Sequence, residues 1–315
     1  MKSSIPASTA TSLLVALSLA GVACADKSPD SQATTVDRKP PVERELVAGV
    51  DVSQLEGKDQ RARFRALVDA LPSPCGQAHS LRASLAEDSA CKRAPFAARL
   101  VVELLVDEKD DAEIRSYYQR RFSAYPPLEG FALDASVPHK GPLDAPVKLV
   151  EFYDYGCAGC KQVAPILDQV VGQFPDQVVL FYKQFPLSSH PLSRPAAQAA
   201  LAAMKQGKFL AMHELLFANQ PRHNKGALDG YAAEIGLDMD RFNADFEEAA
   251  TQVAADRDEG RKLGVGSTPT LFINNQKYRG LYAPKYIAMW IEEALASSSD
   301  RPSLDNPDTP RDTRP

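Results

Sequence analysis

Cysteine and histidine are scarce in this chain, five of each in 315 residues. One C-x-x-C pair, Cys157 and Cys160, supplies only two of the four ligands a structural zinc needs. No second Cys or His pair recurs at ligand spacing, so no metal site is expected. Basic excess is missing as well. The formal net charge is -5 and the pI is near 5.6, which gives no electrostatic footprint for nucleic acid or for an anionic membrane surface. The apolar run at residues 12–22 is too short to span a bilayer. There are no internal repeats. With 44% hydrophobic and 24% charged residues, the composition excludes disorder of the whole chain and fits one large globular domain plus a smaller one.

The short apolar run follows Lys2 and leads into Ala23-Cys24-Ala25, the h-region and small-residue exit of a secretory signal over residues 1–25. Two processing routes stay open. Ala23-x-Ala25 suits ordinary signal peptidase, whereas Val22-Ala23-Cys24 is similar to a bacterial lipobox in which Cys24 becomes the lipidated first residue. A polar, Pro- and Ser-containing tether over residues 26–46 fits an anchored domain, and Gly21 stands where lipoboxes usually carry Leu. Either way Cys24 leaves the pairing arithmetic, and Cys75, Cys91, Cys157 and Cys160 remain as two potential pairs in an oxidising compartment.

Residues 47–128 read as a small all-helical domain. Phe64, Leu67, Val68 and Leu71 follow i, i+3, i+4, i+7 spacing on a helix that stops at Pro72-Ser73-Pro74. Leu81 and Leu85 mark a short second segment, and Phe96, Leu100, Leu104 and Leu105 a third. A fourth starts at Asp110, which with Glu113 fits a capping box. A bundle of roughly 80 residues is near the size where a core alone is marginal. Cys75 and Cys91 flank the second segment and would suit a structural disulfide. A second redox pair is the alternative.

The segment with most chemistry comes next. Residues 147–153 read as an apolar strand that turns into Cys157-Ala158-Gly159-Cys160 at the first turn of an amphipathic helix, and residues 177–182 as a second, buried strand. Together they make a βαβ unit with parallel strands. A thiol at a helix N-terminus faces unpaired backbone N–H groups and the positive end of the macrodipole, which favours thiolate and so produces a nucleophile. A long Ala-rich helical region over residues 193–264 follows, broken at residues 219–225 and near Gly236. A strand from Thr268 to Asn274 then turns at Asn274-Asn275 and returns over residues 276–282. The last helix covers residues 283–295, and a Ser-, Asp- and Pro-rich tail occupies residues 298–315.

This arrangement resembles the thioredoxin fold in its DsbA-like form over residues 137–297. The fold class is therefore α/β, a thioredoxin fold with a helical insertion preceded by the small all-helical domain. Independent positions agree beyond the cysteine pair. Glu151 lies six residues before Cys157, Pro165 five after Cys160, and Thr268-Pro269 opens the strand after the insertion. Gln184-Phe185-Pro186-Leu187 and His190-Pro191 also look like secreted DsbA-like proteins.

The resemblance implies an exported thiol–disulfide oxidoreductase. Cys157 would attack and Cys160 resolve the mixed disulfide. Glu151 would be a buried acid beneath Cys160 that moves its proton, and Thr268 with a cis Pro269 would bind substrate beside the sulfurs. No cofactor is implied beyond the Cys157–Cys160 disulfide. The partners would be exported proteins carrying cysteines, with a membrane redox partner implied by the resemblance and a lipid anchor at Cys24 implied by the lipobox. Lys183 could pair with Glu151 or end in solvent. His190 reads as a turn residue, Tyr153, Asp154 and Tyr155 as the border of the site, and His213 and His223 have no matching context. Ala158-Gly159 brings no imidazole or other side-chain donor, so the direction of electron flow stays open. A disulfide isomerase or reductase, or a client-binding module whose C-x-x-C is only a staple, remains as an alternative.

Overall fold

The computed structural model describes residues 49–123 and 130–298, all within one unit of the chain, residues 42–315. The signal segment, Cys24, the tether and the tail after residue 298 lie outside the described residues.

Four helices form the first part: α1 (Lys58–Ala70), α2 (Leu81–Ala86), α3 (Ala94–Val106) and α4 (Asp111–Phe122). Helix α1 stops because Leu71 precedes Pro72 and is held extended. Helix α4 starts on the expected capping box: Asp110 Oδ1 accepts from Glu113 N–H (2.8 Å) and Glu113 Oε2 from Asp110 N–H (3.1 Å). Helix α3 is apolar nearly all round and is the core of the bundle, touching Phe64 and Leu67 of α1 and Ile114 and Tyr118 of α4 in one buried cluster. Cys75 and Cys91 are joined by a disulfide across α2, and Cys91 is buried in that cluster.

The second part begins with β1 (His139–Lys140) and β2 (Val147–Tyr153). It continues through α5 (Ala158–Gln173), β3 (Val178–Gln184), α6 (Ser193–Met204), α7 (Phe209–Ala218), α8 (Lys225–Glu234) and α9 (Met239–Lys262). It ends with β4 (Thr270–Ile273), β5 (Gln276–Lys277) and α10 (Pro284–Ser298). The sheet order is β1-β3-β2-β4-β5, with β2 and β3 parallel and every other pair antiparallel. The expected βαβ unit is present, with β2 at the centre of the sheet. Alternation along β2 sends Val147, Leu149 and Tyr153 into the core shared with α5, and Val150 and Phe152 into a second core with Phe181, Phe185 and Phe272.

Three local expectations need correction. The helical region breaks a third time, at Gly207, whose positive φ of 71° ends α6 and lets α7 start at Phe209. The returning strand is two residues long, not seven. Asn274 and Asn275 make the turn with φ of 45° and 64°, but after Tyr278 the chain leaves the sheet as the Tyr278 ring packs on Tyr282 and Trp290. Lys183 neither meets Glu151 nor ends in solvent. The parallel register pairs Glu151 with Tyr182 and sets Lys183 beside Phe152, so its side chain faces the opposite layer. There its ammonium is buried against Asp256 (3.2 Å) and Glu259 (3.0 Å) of α9. Burial opposes the charge, but the two carboxylates outweigh it and hold the ammonium above its ordinary value.

Helix α10 belongs to both cores. Ile287, Trp290 and Ile291 enter the core beneath the sheet, while Tyr286 and Met289 complete the bundle's cluster. Glu293 accepts from Arg93 Nε (2.7 Å) and pairs with Arg121, whose guanidinium lies 3.3 Å from the centre of the Trp290 ring. Burial lowers Arg121 to about 9 against the pull of Glu293. A Glu293→Ala substitution would leave this guanidinium buried without its carboxylate and is expected to cost on the order of 3–5 kcal/mol in urea unfolding. Replacing both Cys75 and Cys91 by Ser opens a loop of 16 residues and is expected to cost about 3 kcal/mol in the same measurement.

Candidate active site

The last residue of β2 leads into a tight turn, and Cys157 caps α5. The Cys157 N–H donates to Asp154 O (3.0 Å), and its Sγ accepts from Cys160 N–H at 3.4 Å. Its thiol donates to the Thr268 carbonyl, also at 3.4 Å. Cys157 is partly exposed, whereas Cys160 is fully buried, and the two sulfurs are free thiols in this structure. The structure therefore brings Thr268, 111 residues on from Cys157, to the cysteine pair. The Thr268–Pro269 bond is cis. Pro269 lies against the first turn of α5: a Cβ on Gly159 would sit 3.3 Å from Pro269 Cδ and 3.7 Å from Cys157 Sγ. Pro165 is inside α5, where the spacing put it.

Glu151 is 1% exposed and projects into the same core as Cys160. Its Oε1 has no hydrogen-bond partner among the described residues. Burial first, and the negative charge of Asp168 second, push the carboxyl up to about 8. Burial also pushes the Cys160 thiol far above its ordinary value. The Glu151 charge adds to this, and the Asp154 backbone works against it. An acid that is neutral near pH 7 thus lies in the same core as a thiol that resists ionisation. Tyr282 borders both groups and hydrogen-bonds Pro269 O (3.4 Å).

The chain leading to the cysteines is more tightly held than the sequence reading expected. Asp154 is buried with both oxygens occupied, and His190 Nδ1 is one of its partners at 2.8 Å. Tyr153 and Tyr155 join hydroxyls at 3.0 Å, and Tyr155 meets His213 Nδ1 at 2.9 Å. Burial first, then Lys140, lowers His213 to about 3, so it serves as a neutral partner inside an aromatic cluster. The Gln220 amide donates to the Tyr155 carbonyl (2.5 Å) and the Cys157 carbonyl (3.1 Å). His213, His223 and Gln220 reach this region only through the folded insertion. The one local signal was the Tyr-Asp-Tyr run directly before Gly156 and Cys157.

Comparison with known proteins decides the family. The model described as Thioredoxin matches residues 135–293, just over half of the chain. The chain belongs to the thioredoxin family. Among curated relatives by sequence, it is 34% identical over 177 residues to the Na(+)/H(+) antiporter NhaA 1 of Salinispora arenicola, covering 55% of this chain and 27% of that protein. It is 33% identical over 163 residues to the antiporter NhaA of Herminiimonas arsenicoxydans, covering 51% and 26%. The chain thus spans about a quarter of the length of the curated relatives it matches. Among the described residues no helix is long and apolar enough to cross a membrane. Among solved structures it is similar to a thioredoxin-like oxidoreductase from Silicibacter pomeroyi DSS-3 (28% identity, TM-score 0.47, 54% of this chain and 95% of that one). It is also similar to oxidised BdbD from Bacillus subtilis (27% identity, TM-score 0.46, 51% and 94%).

Glu151 makes stability depend on pH with a definite sign. Folding raises its pKa from 4.5 to about 8, so the folded state binds more protons than the unfolded state between those values. The stability this contributes is fully present below pH 4.5 and is lost as pH rises through about 8. Glu151→Gln escapes that loss. Its unfolding free energy should gain on the wild type across the window, by on the order of 5 kcal/mol, in urea titrations repeated at each pH. A difference that stays flat with pH would contradict the burial of an ionisable carboxyl.

Proposed function

We propose that this chain is an exported, DsbA-like thiol–disulfide oxidoreductase that forms or exchanges disulfides in exported proteins carrying cysteines. The observation that carries the reading is the pairing of a partly exposed Cys157 at the N-terminus of α5 with a buried Cys160 in the core that holds Glu151. Membership of the thioredoxin family supports it.

In the oxidising direction a client thiolate attacks Cys157 Sγ of the Cys157–Cys160 disulfide. The protein S–S bond breaks, a client–Cys157 S–S bond forms, and Cys160 leaves with the electron pair. A thiolate at Cys160 is disfavoured by burial, and Glu151, neutral up to about pH 8, is the nearby acid that gives it a proton. A second client thiolate then attacks the client sulfur of the mixed disulfide. Cys157 leaves as thiolate, facing the Cys160 N–H. Two client thiols become one disulfide, and the protein takes up two electrons. Reduction is the same path in reverse. The Thr268 carbonyl beside Cys157 marks the main chain against which an extended client would lie, with Pro269 forming the wall of the site.

Export is supported by the signal-like residues 1–25 and by the Cys75–Cys91 disulfide, a bond that persists in oxidising compartments. Cys24 is then either lipidated, anchoring the chain at the envelope, or removed with the signal. A membrane redox partner would reoxidise or reduce the site.

A Cys160→Ser variant should accumulate client proteins as mixed disulfides through Cys157, visible as reductant-sensitive bands in envelope extracts. A variant that traps nothing there, while the folded wild type still binds clients, would favour the client-binding module. The redox equilibrium with glutathione fixes the direction: a potential near -270 mV, as in thioredoxin, would contradict the oxidase role.

A further inference from the structure

The carboxylate of Asp154 is buried three residues before Cys157 and takes no part in the exchange steps above. Its oxygens accept from four donors. Oδ1 takes the Gly156 N–H (2.6 Å) and the Ser193 hydroxyl. Oδ2 takes the Leu187 N–H (2.8 Å) and His190 Nδ1 (2.8 Å). One donor comes from the turn that carries Cys157, and three come from residues 187–193, which lead into the helical insertion. The main chain of Asp154 meanwhile serves both cysteines. Its carbonyl accepts from the Cys157 N–H, and its backbone favours the ionised form of the Cys160 thiol. The two turns approach so closely that a Cβ on Gly156 would lie 2.5 Å from Ser193 Oγ and 2.7 Å from His190 Cβ, which requires glycine there.

A buried carboxylate beside this site is a fixed negative charge near sulfurs that must themselves become anionic during exchange. Hydrogen-bond donors offset that charge, and removing one exposes the sulfurs to more of it. Among the described residues no lysine or arginine pairs with Asp154, which leaves its hydrogen-bond donors, His190 among them, to offset the carboxylate. Ala158-Gly159, between the cysteines, has no side-chain donor to compensate.

We propose that Asp154 and His190 form a positioning pair through which the helical insertion sets the redox equilibrium of Cys157 and Cys160. This rests on the oxidoreductase reading. Neither residue touches the sulfurs through its side chain; the pair acts through the turn and through the hydrogen bond that offsets the carboxylate.

The test is the equilibrium between protein disulfide plus two glutathione thiols and protein dithiol plus one glutathione disulfide. One S–S bond breaks, another forms, and two electrons pass. Its constant is measured at one neutral pH for the full chain as wild type, His190→Ala and His190→Asn, with melting temperatures of the oxidised and reduced forms. His190→Ala should move the constant about tenfold toward the protein disulfide, equivalent to about 30 mV, with the reduced form losing more melting temperature than the oxidised one. His190→Asn, whose amide N–H overlays the position of Nδ1, should stay within about threefold of wild type. A merely structural role would lower both melting temperatures alike and leave the constant unmoved, and that result overturns the proposal. Equal shifts in the two variants overturn it as well, because the hydrogen bond to Asp154 would not be the route. A wild type that does not exchange with glutathione overturns the underlying reading and this proposal with it. Exchange by the wild type with an unshifted His190→Ala overturns the proposal alone.

Discussion

Glu151 stands at the middle of the central strand, on the pleat face that otherwise carries Val147, Leu149 and Tyr153, and its carboxyl is closed off from water by the core around α5. An ionised carboxylate there would be costly, so the group stays protonated up to about pH 8. Much of the local architecture follows from keeping that one polar group inside. The nearest long cation on the neighbouring strand, Lys183, is turned to the other layer by the register and is taken up by Asp256 and Glu259. No ammonium therefore neutralises Glu151 from β3. A slip of β3 by one residue against β2 would pair Lys183 with Glu151 and bring the ammonium into the layer of the acid.

The remaining parts of the chain reach the thioredoxin core by two distinct routes. The insertion, α6 to α9, packs apolar residues such as Met212, Phe217 and Phe242 into the same core, and residues 187–193 and Gln220 add hydrogen bonds at the turn before Cys157. The four-helix bundle reaches it through α10, by apolar packing of Tyr286 and Met289 and by the two arginines that share Glu293. The first route touches residues next to the sulfurs. The second touches a helix whose opposite face supports the sheet. The insertion thus has direct hydrogen bonds to the turn before Cys157, whereas the bundle meets the core through α10.

What the sequence revealed and what it hid divide along physical lines. Features fixed by local periodicity or by turn chemistry were legible: β2 over Val147–Tyr153, the C-x-x-C at the head of α5, the Asp110–Glu113 box, and the Asn274–Asn275 turn. The spacing of Glu151, Pro165 and Thr268-Pro269 around the cysteines was legible through the family pattern. Features fixed by long-range packing were not. The partner of Lys183 depended on strand register, the short β5 on a tyrosine drawn toward Trp290, and the role of Asp154 on a histidine 36 residues away. His213 gave no signal because its function is to be a neutral partner in an aromatic cluster, which only the folded insertion creates.

The central claim is that a neutral carboxylic acid lies in the core beside Cys157 and Cys160 at physiological pH. Infrared difference spectroscopy of the reduced chain against Glu151→Gln observes that group directly. The account predicts a protonated carboxyl band that persists through neutral pH and disappears as pH rises through about 8, with a matching loss in the Gln variant at every lower pH. A carboxylate band already complete at pH 6, or no difference between the two proteins, would contradict it.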